Sequence, residues 1–322
     1  MAQRDLGNDS VLVTGAAGFI ASHVVERLCA QGTRVIGLDN FDPFYQRNLK
    51  ERNAQACRDA GAEFVEGDLC DEAFLADLFA RTKPTSVIHL AAKAGVRPSI
   101  ADPVGYVKAN VLGTMCVLEC AHKAGCDRVV MASSSSVYGN NKKVPFAEDD
   151  PVENPISPYA ATKRSCELIA HAHHHLTGMP VACLRFFTVI GPRQRPDLAV
   201  SLFLSRISRG EPIRMFGDGT TSRDYTFIDD IVSGVMASYE KIDAHGFRVW
   251  NLGGNEPVSL REMIQTVGEV VGVEPIVQQE PMQPGDVERT YADLTRAKAE
   301  LGYEPTTSFA EGVARQWAWA RR

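Results

Sequence analysis

Short apolar runs alternate with longer amphipathic stretches through the first half of the chain. The runs cover Ser10 to Thr14, Arg34 to Leu38, Glu63 to Val65, Ser86 to Leu90, 128 to 133 and 181 to 186. Segments this short, with apolar residues at successive positions, read as strands buried on both faces. Between them the period lengthens: Val24, Val25 and Leu28 share a helix face, and 103–123 and 158–177 are longer helical segments. Strand and helix in repeated alternation predict an α/β fold with a doubly wound parallel sheet. After Arg185 the alternation loosens into loops and short elements. The expected organisation is therefore a larger domain over 1–186, joined by a returning strand near 247–252, and a smaller C-terminal α/β lobe over 187–322.

The strand ends carry the first chemical signal. Thr14 runs into Gly15-Ala16-Ala17-Gly18-Phe19-Ile20-Ala21 and then a helical pattern, a strand, glycine turn and helix with the spacing G-x-x-G-x-x-A. Such a turn lets backbone approach a pyrophosphate at a helix N-terminus. The second strand ends in Asp39-Asn40, where a carboxylate can accept from both ribose hydroxyls of NAD and would repel the extra phosphate of NADP. A third edge position, Asp68-Leu69, suits the adenine, and the small residues after the fourth strand, Leu90-Ala91-Ala92-Lys93, let a cofactor lie against backbone. The sheet domain is thus expected to be a Rossmann-type NAD-binding domain, contacting the cofactor through Gly15, Gly18, Phe19, Ile20, Asp39, Asn40, Asp68, Leu69 and residues 90–93.

A candidate reactive group follows. Tyr159 and Lys163 are four apart on one predicted helix, so an ammonium sits beside a phenol and favours its phenolate. The serines at 133–136 stand one loop upstream and can donate to the same substrate oxygen.

Composition narrows the partners. The 322 residues are 44% hydrophobic and 23% charged, an ordinary globular balance. A formal charge of −6 argues against a broad nucleic-acid surface, so any anionic ligand must be held by local arginines. The start shows no apolar leader, and no run nears the roughly 18 apolar residues of a membrane span, which predicts a cytoplasmic protein. Eight cysteines lack Cys-x-x-Cys pairing and read as reduced thiols. His171, His173, His174 and His175 form a tract with no Cys or carboxylate beside it, which reads as a solvated helix face and not a metal site.

Thr14 to Ala21, His89-Leu90-Ala91-Ala92, Ser133 to Gly139, Tyr159 to Lys163 and Arg223-Asp224-Tyr225 occur in one order. As a set they resemble the extended short-chain dehydrogenase/reductases of the nucleotide-sugar epimerase type, over residues 9 to 318. That resemblance implies Ser134 as the hydrogen-bonding serine, Tyr159 as base and Lys163 as its partner, with Tyr159, Lys163 and Asn110, which steadies a helix near the site, also among the cofactor contacts. Dehydratases of this kind carry an Asp-Glu pair where this chain has Ser135-Ser136, and decarboxylases a Glu where it has Ser136. Residues 39–45, 94–100, Thr188 and 193–197 are most similar to those of UDP-glucuronate 4-epimerases. Two departures stand out: Ala21 for a third glycine and Ile190 for the usual Tyr.

By that resemblance the expected reaction is reversible C4 epimerisation of UDP-glucuronate to UDP-galacturonate, with tightly bound NAD and a 4-keto intermediate. Ser135, Ser136, Thr188 and Arg97, with Arg195 as the competing cation, are expected to hold the carboxylate. Arg214 and Phe216 would flank the uracil, Arg223 the diphosphate and Asp286 the ribose. A UDP-hexose or N-acetylhexosamine 4-epimerase, a decarboxylase and a non-catalytic NAD sensor are the alternatives. The resemblance also implies a homodimer paired through the helices at 103–123 and 158–177.

Overall fold

The computed structural model describes residues 9–281 and 287–322. Among the described residues, twelve strands form three sheets. They are β1 (Ser10–Thr14), β2 (Arg34–Asp39), β3 (Glu63–Glu66), β4 (Ser86–His89), β5 (Arg128–Ser134), β6 (Val181–Phe186), β7 (Thr188–Ile190), β8 (Ile213–Phe216), β9 (Ser222–Phe227), β10 (Phe247–Leu252), β11 (Pro257–Ser259) and β12 (Val277–Glu280). The large sheet has the order β10-β6-β5-β4-β1-β2-β3 and is parallel throughout. β1 lies between β2 and β4, so the chain reverses its direction of travel across the sheet there. A crevice opens at such a switch point, beyond the carboxyl ends of the strands.

Helices cover both faces. α1 (Phe19–Ala30), α2 (Arg47–Asp59), α3 (Glu72–Thr82), α4 (Val96–Ala101), α5 (Pro103–Tyr106), α6 (Gly113–Lys123) and α7 (Pro158–Thr177) belong to the first half. α8 (Ala199–Ser208), α9 (Ile228–Lys241), α10 (Leu260–Val271), α11 (Thr295–Leu301) and α12 (Phe309–Ala320) follow. Strand side chains alternate between the faces. Val11 and Val13 join Val24, Leu28, Ile231 and Val235 on the α1–α9 side, while Leu12 joins Leu75, Val117 and Cys166 on the α3–α6–α7 side. This two-sided burial is why the strands read as unbroken apolar runs.

β10 pairs with β6, Trp250 opposite Leu184, so the sheet is completed by chain from beyond residue 187. The remaining strands make a three-stranded sheet, β11-β9-β7, and a two-stranded one, β12-β8, packed with α8, α10 and α12. Ile190 is buried there, its side chain packed against Gly312 of α12.

The segment expected as one helix over 103–123 contains a wider, π-type turn at Val107–Leu112 between α5 and α6. Such a turn re-aims a side chain, and here it carries Asn110. The histidine tract is not uniformly solvated: His171 and His175 are exposed, but His173 is buried beside His122, 3.7 Å from Glu119 Oε1. No described helix is long and apolar enough to cross a membrane.

Candidate active site

At the end of β1 the chain turns at Gly15 with φ +73°, its N–H donating to the Leu38 carbonyl at 2.8 Å. A Cβ there would stand 2.8 Å from the Ala91 backbone, so only glycine lets the two loops close this tightly. Gly18 has a similar constraint, with the Gly15 oxygen 2.9 Å from where its Cβ would be. Asp39 ends β2 and accepts from Ala17 N at 3.0 Å and Phe41 N at 2.8 Å, one oxygen each. Burial pushes its carboxyl above the usual range, against those hydrogen bonds and the Lys50 ammonium. Each oxygen retains a second acceptor site for a ribose hydroxyl. Behind this cradle His89 is bonded to Thr14 Oγ1 at 2.7 Å and to Thr114 Oγ1 at 3.1 Å. Burial, with the Lys163 charge nearby, lowers His89 to about 3, so a neutral imidazole cross-links the floor.

A cleft of about 520 Å³ runs from these turns past Asp68, Leu69 and residues 90–93 to the ends of β5 and β6 and the start of β7. Its far end gathers Ser134, Ser135, Ser136, Tyr159, Lys163, Thr188 and Arg195. Ser157 caps α7 by accepting from Ala160 N at 3.1 Å, with Pro158 opening the first turn, so Tyr159 emerges at the helix mouth. One turn on, Lys163 is buried and donates to the Ala132 carbonyl of β5 at 2.7 Å. Ser134 ends β5, donating to Ser136 Oγ and accepting from Ser136 N, both at 3.2 Å. The Tyr106 ring stands edge-on to Tyr159, centroids 6.2 Å apart, with its hydroxyl on the Ala94 carbonyl.

Of the residues singled out from sequence, the cleft lining includes Gly15, Gly18, Phe19, Ile20, Asp39, Asn40, Asp68, Leu69, Leu90, Ala91, Ala92 and Lys93. Asn110 does not line it. Its side chain lies one layer behind, clamping both backbone groups of Lys93 and donating to Thr162 of α7 at 3.0 Å.

Four others lie outside the lining. Arg97 is exposed on α4, its guanidinium over the Phe216 ring at 5.1 Å, and Arg214 pairs with Glu280 across β8 and β12 at 3.3 Å. Arg223 donates to the Ser222 carbonyl at 2.8 Å. Arg195 lines the same cleft as Ser135, Ser136 and Thr188, and Arg97 does not. Asp286 lies outside the described residues.

Sequence reasoning passed over the buried layer beneath the serines. Glu167 of α7 accepts from Ser133 Oγ at 2.6 Å and from Arg185 of β6 at 2.9 Å on each oxygen. The available signal was a charged residue inside the apolar run of β6, together with a Glu four positions after Lys163. Phe44 and Tyr45 entered that reasoning only through the family likeness of residues 39–45, whereas Phe44, Tyr45 and Lys50, which follow Asp39, stand in the cleft wall.

Residues 12–316 match the protein family described as GDP-mannose 4,6 dehydratase. A probable UDP-glucuronate 4-epimerase of Rhizobium meliloti is 42% identical over 326 residues, 96% of either chain. The crystal structure of UDP-glucuronic acid 4-epimerase from Bacillus cereus, in complex with UDP-glucuronic acid and NAD, superposes with a TM-score of 0.91 at 35% identity over 97% of this chain and 99% of that one. UDP-glucose 4-epimerase of Thermotoga maritima, with UDP-glucose, gives 0.88 at 34% identity over 97% and 98%.

Proposed function

The chain belongs to the nucleotide-sugar family described as GDP-mannose 4,6 dehydratase, among the extended short-chain dehydrogenase/reductases, and we propose that it interconverts UDP-glucuronate and UDP-galacturonate by C4 epimerisation. The observation that carries this reading is a single cleft whose lining holds Ser134, Ser135, Ser136, Thr188 and Arg195 together with Tyr159 and Lys163. The residues before Val137-Tyr138-Gly139 are serines, so this position offers no carboxylic acid for eliminating water.

The Gly15 turn and the Asp39 carboxylate suit a dinucleotide: the backbone approach leaves no room for a Cβ, and the acid accepts ribose hydroxyls. NAD, when bound, supplies the acceptor and later the donor of the C4 hydride. Tyr159 takes the C4 hydroxyl proton as the ketone forms, and returns a proton when the opposite face is reduced. Lys163, fixed on the Ala132 carbonyl, keeps a positive charge at the phenol's helix face. Ser134 is positioned to donate to the same sugar oxygen. Between the half-reactions the keto sugar turns about its diphosphate linkage.

A 4-keto uronate is a β-keto acid and loses carbon dioxide once its carboxylate bond aligns with the carbonyl π system. Ser135, Ser136, Thr188 and Arg195 hold the carboxylate out of that alignment, with hydroxyls and a planar fork suited to a carboxylate. The UDP moiety extends toward Phe216, Arg214 and Arg223, with Arg97 stacked on Phe216 at that side.

Proton NMR of the pure protein with UDP-glucuronate and catalytic NAD tests the reading. UDP-galacturonate approaching one ratio from either direction supports it, and a UDP-pentose product would mean that Ser136 does not prevent decarboxylation. A second reading, a neutral UDP-hexose 4-epimerase, is favoured by one observation: Arg195 is already forked onto Asp197. Conversion of UDP-glucose with UDP-glucuronate untouched would select it.

The protein is further read as a homodimer. Val104, Val107, Leu112 and Met115 around α5 and α6, and Leu168 and Leu176 on α7, are exposed, Val104 by 78% and Leu176 by 82%. Apolar groups gathered on neighbouring helices favour burial against a second copy. A light-scattering mass of one 35.2 kDa chain would exclude it.

A further inference from the structure

Tyr159, Lys163 and Glu167 are spaced i, i+4, i+8 on α7 and share one face. That face meets the carboxyl end of β5, whose last residues are Ala132, Ser133 and Ser134. Two consecutive turns of the helix grip two consecutive residues of the strand: Lys163 Nζ bonds the Ala132 carbonyl at 2.7 Å, and Glu167 Oε1 accepts from Ser133 Oγ at 2.6 Å. Ser134 follows Ser133 directly on the strand, and Tyr159 lies one turn before Lys163 on the helix.

Glu167 cannot drift. Arg185 lies opposite Ser133 in the β5–β6 register and grips both carboxylate oxygens at 2.9 Å, and Arg164 adds a bond at 3.0 Å. Burial opposes ionisation of Glu167, but the Arg185 fork, the Ser133 hydroxyl and Arg164 outweigh it and hold the carboxyl below its usual range. Arg185 is anchored in turn to the Tyr138 hydroxyl at 3.0 Å and the Glu148 carbonyl at 3.2 Å, and Tyr138 donates to Asn251 of β10 at 2.7 Å. Glu167 and Arg185 are 1% and 2% exposed at their side chains. A buried ion pair of this kind adds little net stability over apolar packing, because desolvating both charges offsets their attraction. What it supplies is fixed geometry.

We propose that Glu167 is a positioning residue for the C4 chemistry: by binding Ser133 and Arg185 together it sets the register of the Tyr159 face of α7 against the Ser134 end of β5. The inference rests on the epimerase reading for its kinetic consequence. The hydroxyl of Ser133 is the link that transmits the register, since it bonds the strand residue next to Ser134 directly to the helix carboxylate.

Glu167→Gln is the obvious variant, but it leaves the Arg185 charge buried without its partner and can fail to fold. Ser133→Thr and Ser133→Val carry the test, because they have the same shape and differ by one hydroxyl. Ser133→Thr is expected to keep kcat within about two-fold of the parent, and Ser133→Val to lose roughly 10- to 100-fold in kcat with KM little changed, the signature of misplaced reacting groups. Equal kcat in the two variants, whether both retained or both lost, or a loss confined to KM, overturns the proposal. Crystal structures of both variants supply a readout independent of turnover. The Tyr159 hydroxyl to Ser134 Oγ separation should shift in Ser133→Val and not in Ser133→Thr. An unchanged separation overturns the positioning role even if the parent enzyme proves inactive on UDP-glucuronate, a result that would overturn the reaction assignment alone.

Discussion

Arg195, in the cleft lining, and Asp197 form a two-bond fork, Nε to Oδ1 at 3.0 Å and Nη2 to Oδ2 at 2.6 Å. The remaining Nη1 donates to the Ala94 carbonyl at 3.0 Å, and the guanidinium lies over the Phe44 ring at 4.6 Å. A substrate carboxylate must compete with Asp197 for the same donors. Asp197→Asn is therefore expected to lower KM for UDP-glucuronate by about five-fold, a change worth ~1 kcal/mol, and to leave KM for UDP-glucose unchanged. Steady-state kinetics on both sugars check it, and an equal change for both would show that Arg195 does not read the carboxylate.

Tyr159 lines the cleft while its ring is held by Tyr106. Tyr159→Phe removes the proton acceptor and keeps the packing, so kcat should fall by about 10² to 10⁴. NAD content of the purified protein should match that of the parent. Unchanged turnover would remove this residue from the mechanism.

Gly15 combines a left-handed backbone with the close approach of Ala91. Gly15→Ala should cost about 1–2 kcal/mol from the backbone conformation alone, and more from the Ala91 contact. The thermal midpoint should drop and calorimetric titration should show NAD affinity at least about ten-fold weaker, since the turn opens under the pyrophosphate. Normal NAD binding would mean that the loop relaxes without consequence.

Glu300 of α11 accepts from Arg248 and from Trp250 Nε1 at 2.7 Å, and the Arg248 hydrogen bond leads in lowering its carboxyl to about 2. A depressed carboxyl contributes stability that is present above its unfolded value of 4.5 and is lost as pH falls through about 2. Glu300→Gln should flatten the fall in urea midpoint between those pH values. A parent and variant with parallel curves would assign the acid sensitivity elsewhere.

What the sequence determined by itself was everything that depends on near neighbours along the chain. The strand runs follow from burial on both faces, the Gly15 turn from its place between β1 and α1, and the Tyr159–Lys163 pairing from the helix period. Ser157 and Pro158 likewise place the start of α7 where Tyr159 reaches the cleft. These are local properties, and the spacing alone carries them.

Only the tertiary structure decided which distant groups meet. Nothing in the spacing tells that Arg97 is exposed outside the cleft while Arg195, in the loop after β7, lines it. The same holds for Glu167 with Ser133 and Arg185, brought together from α7, β5 and β6 by sheet register, and for His173, which faces inward through the packing of α7 on α6. Asn110 reaches Lys93 and Thr162 through the π-type turn, which a helical hydrophobic pattern does not announce. Partner choice between remote side chains is a consequence of strand order and packing, and a linear sequence states neither.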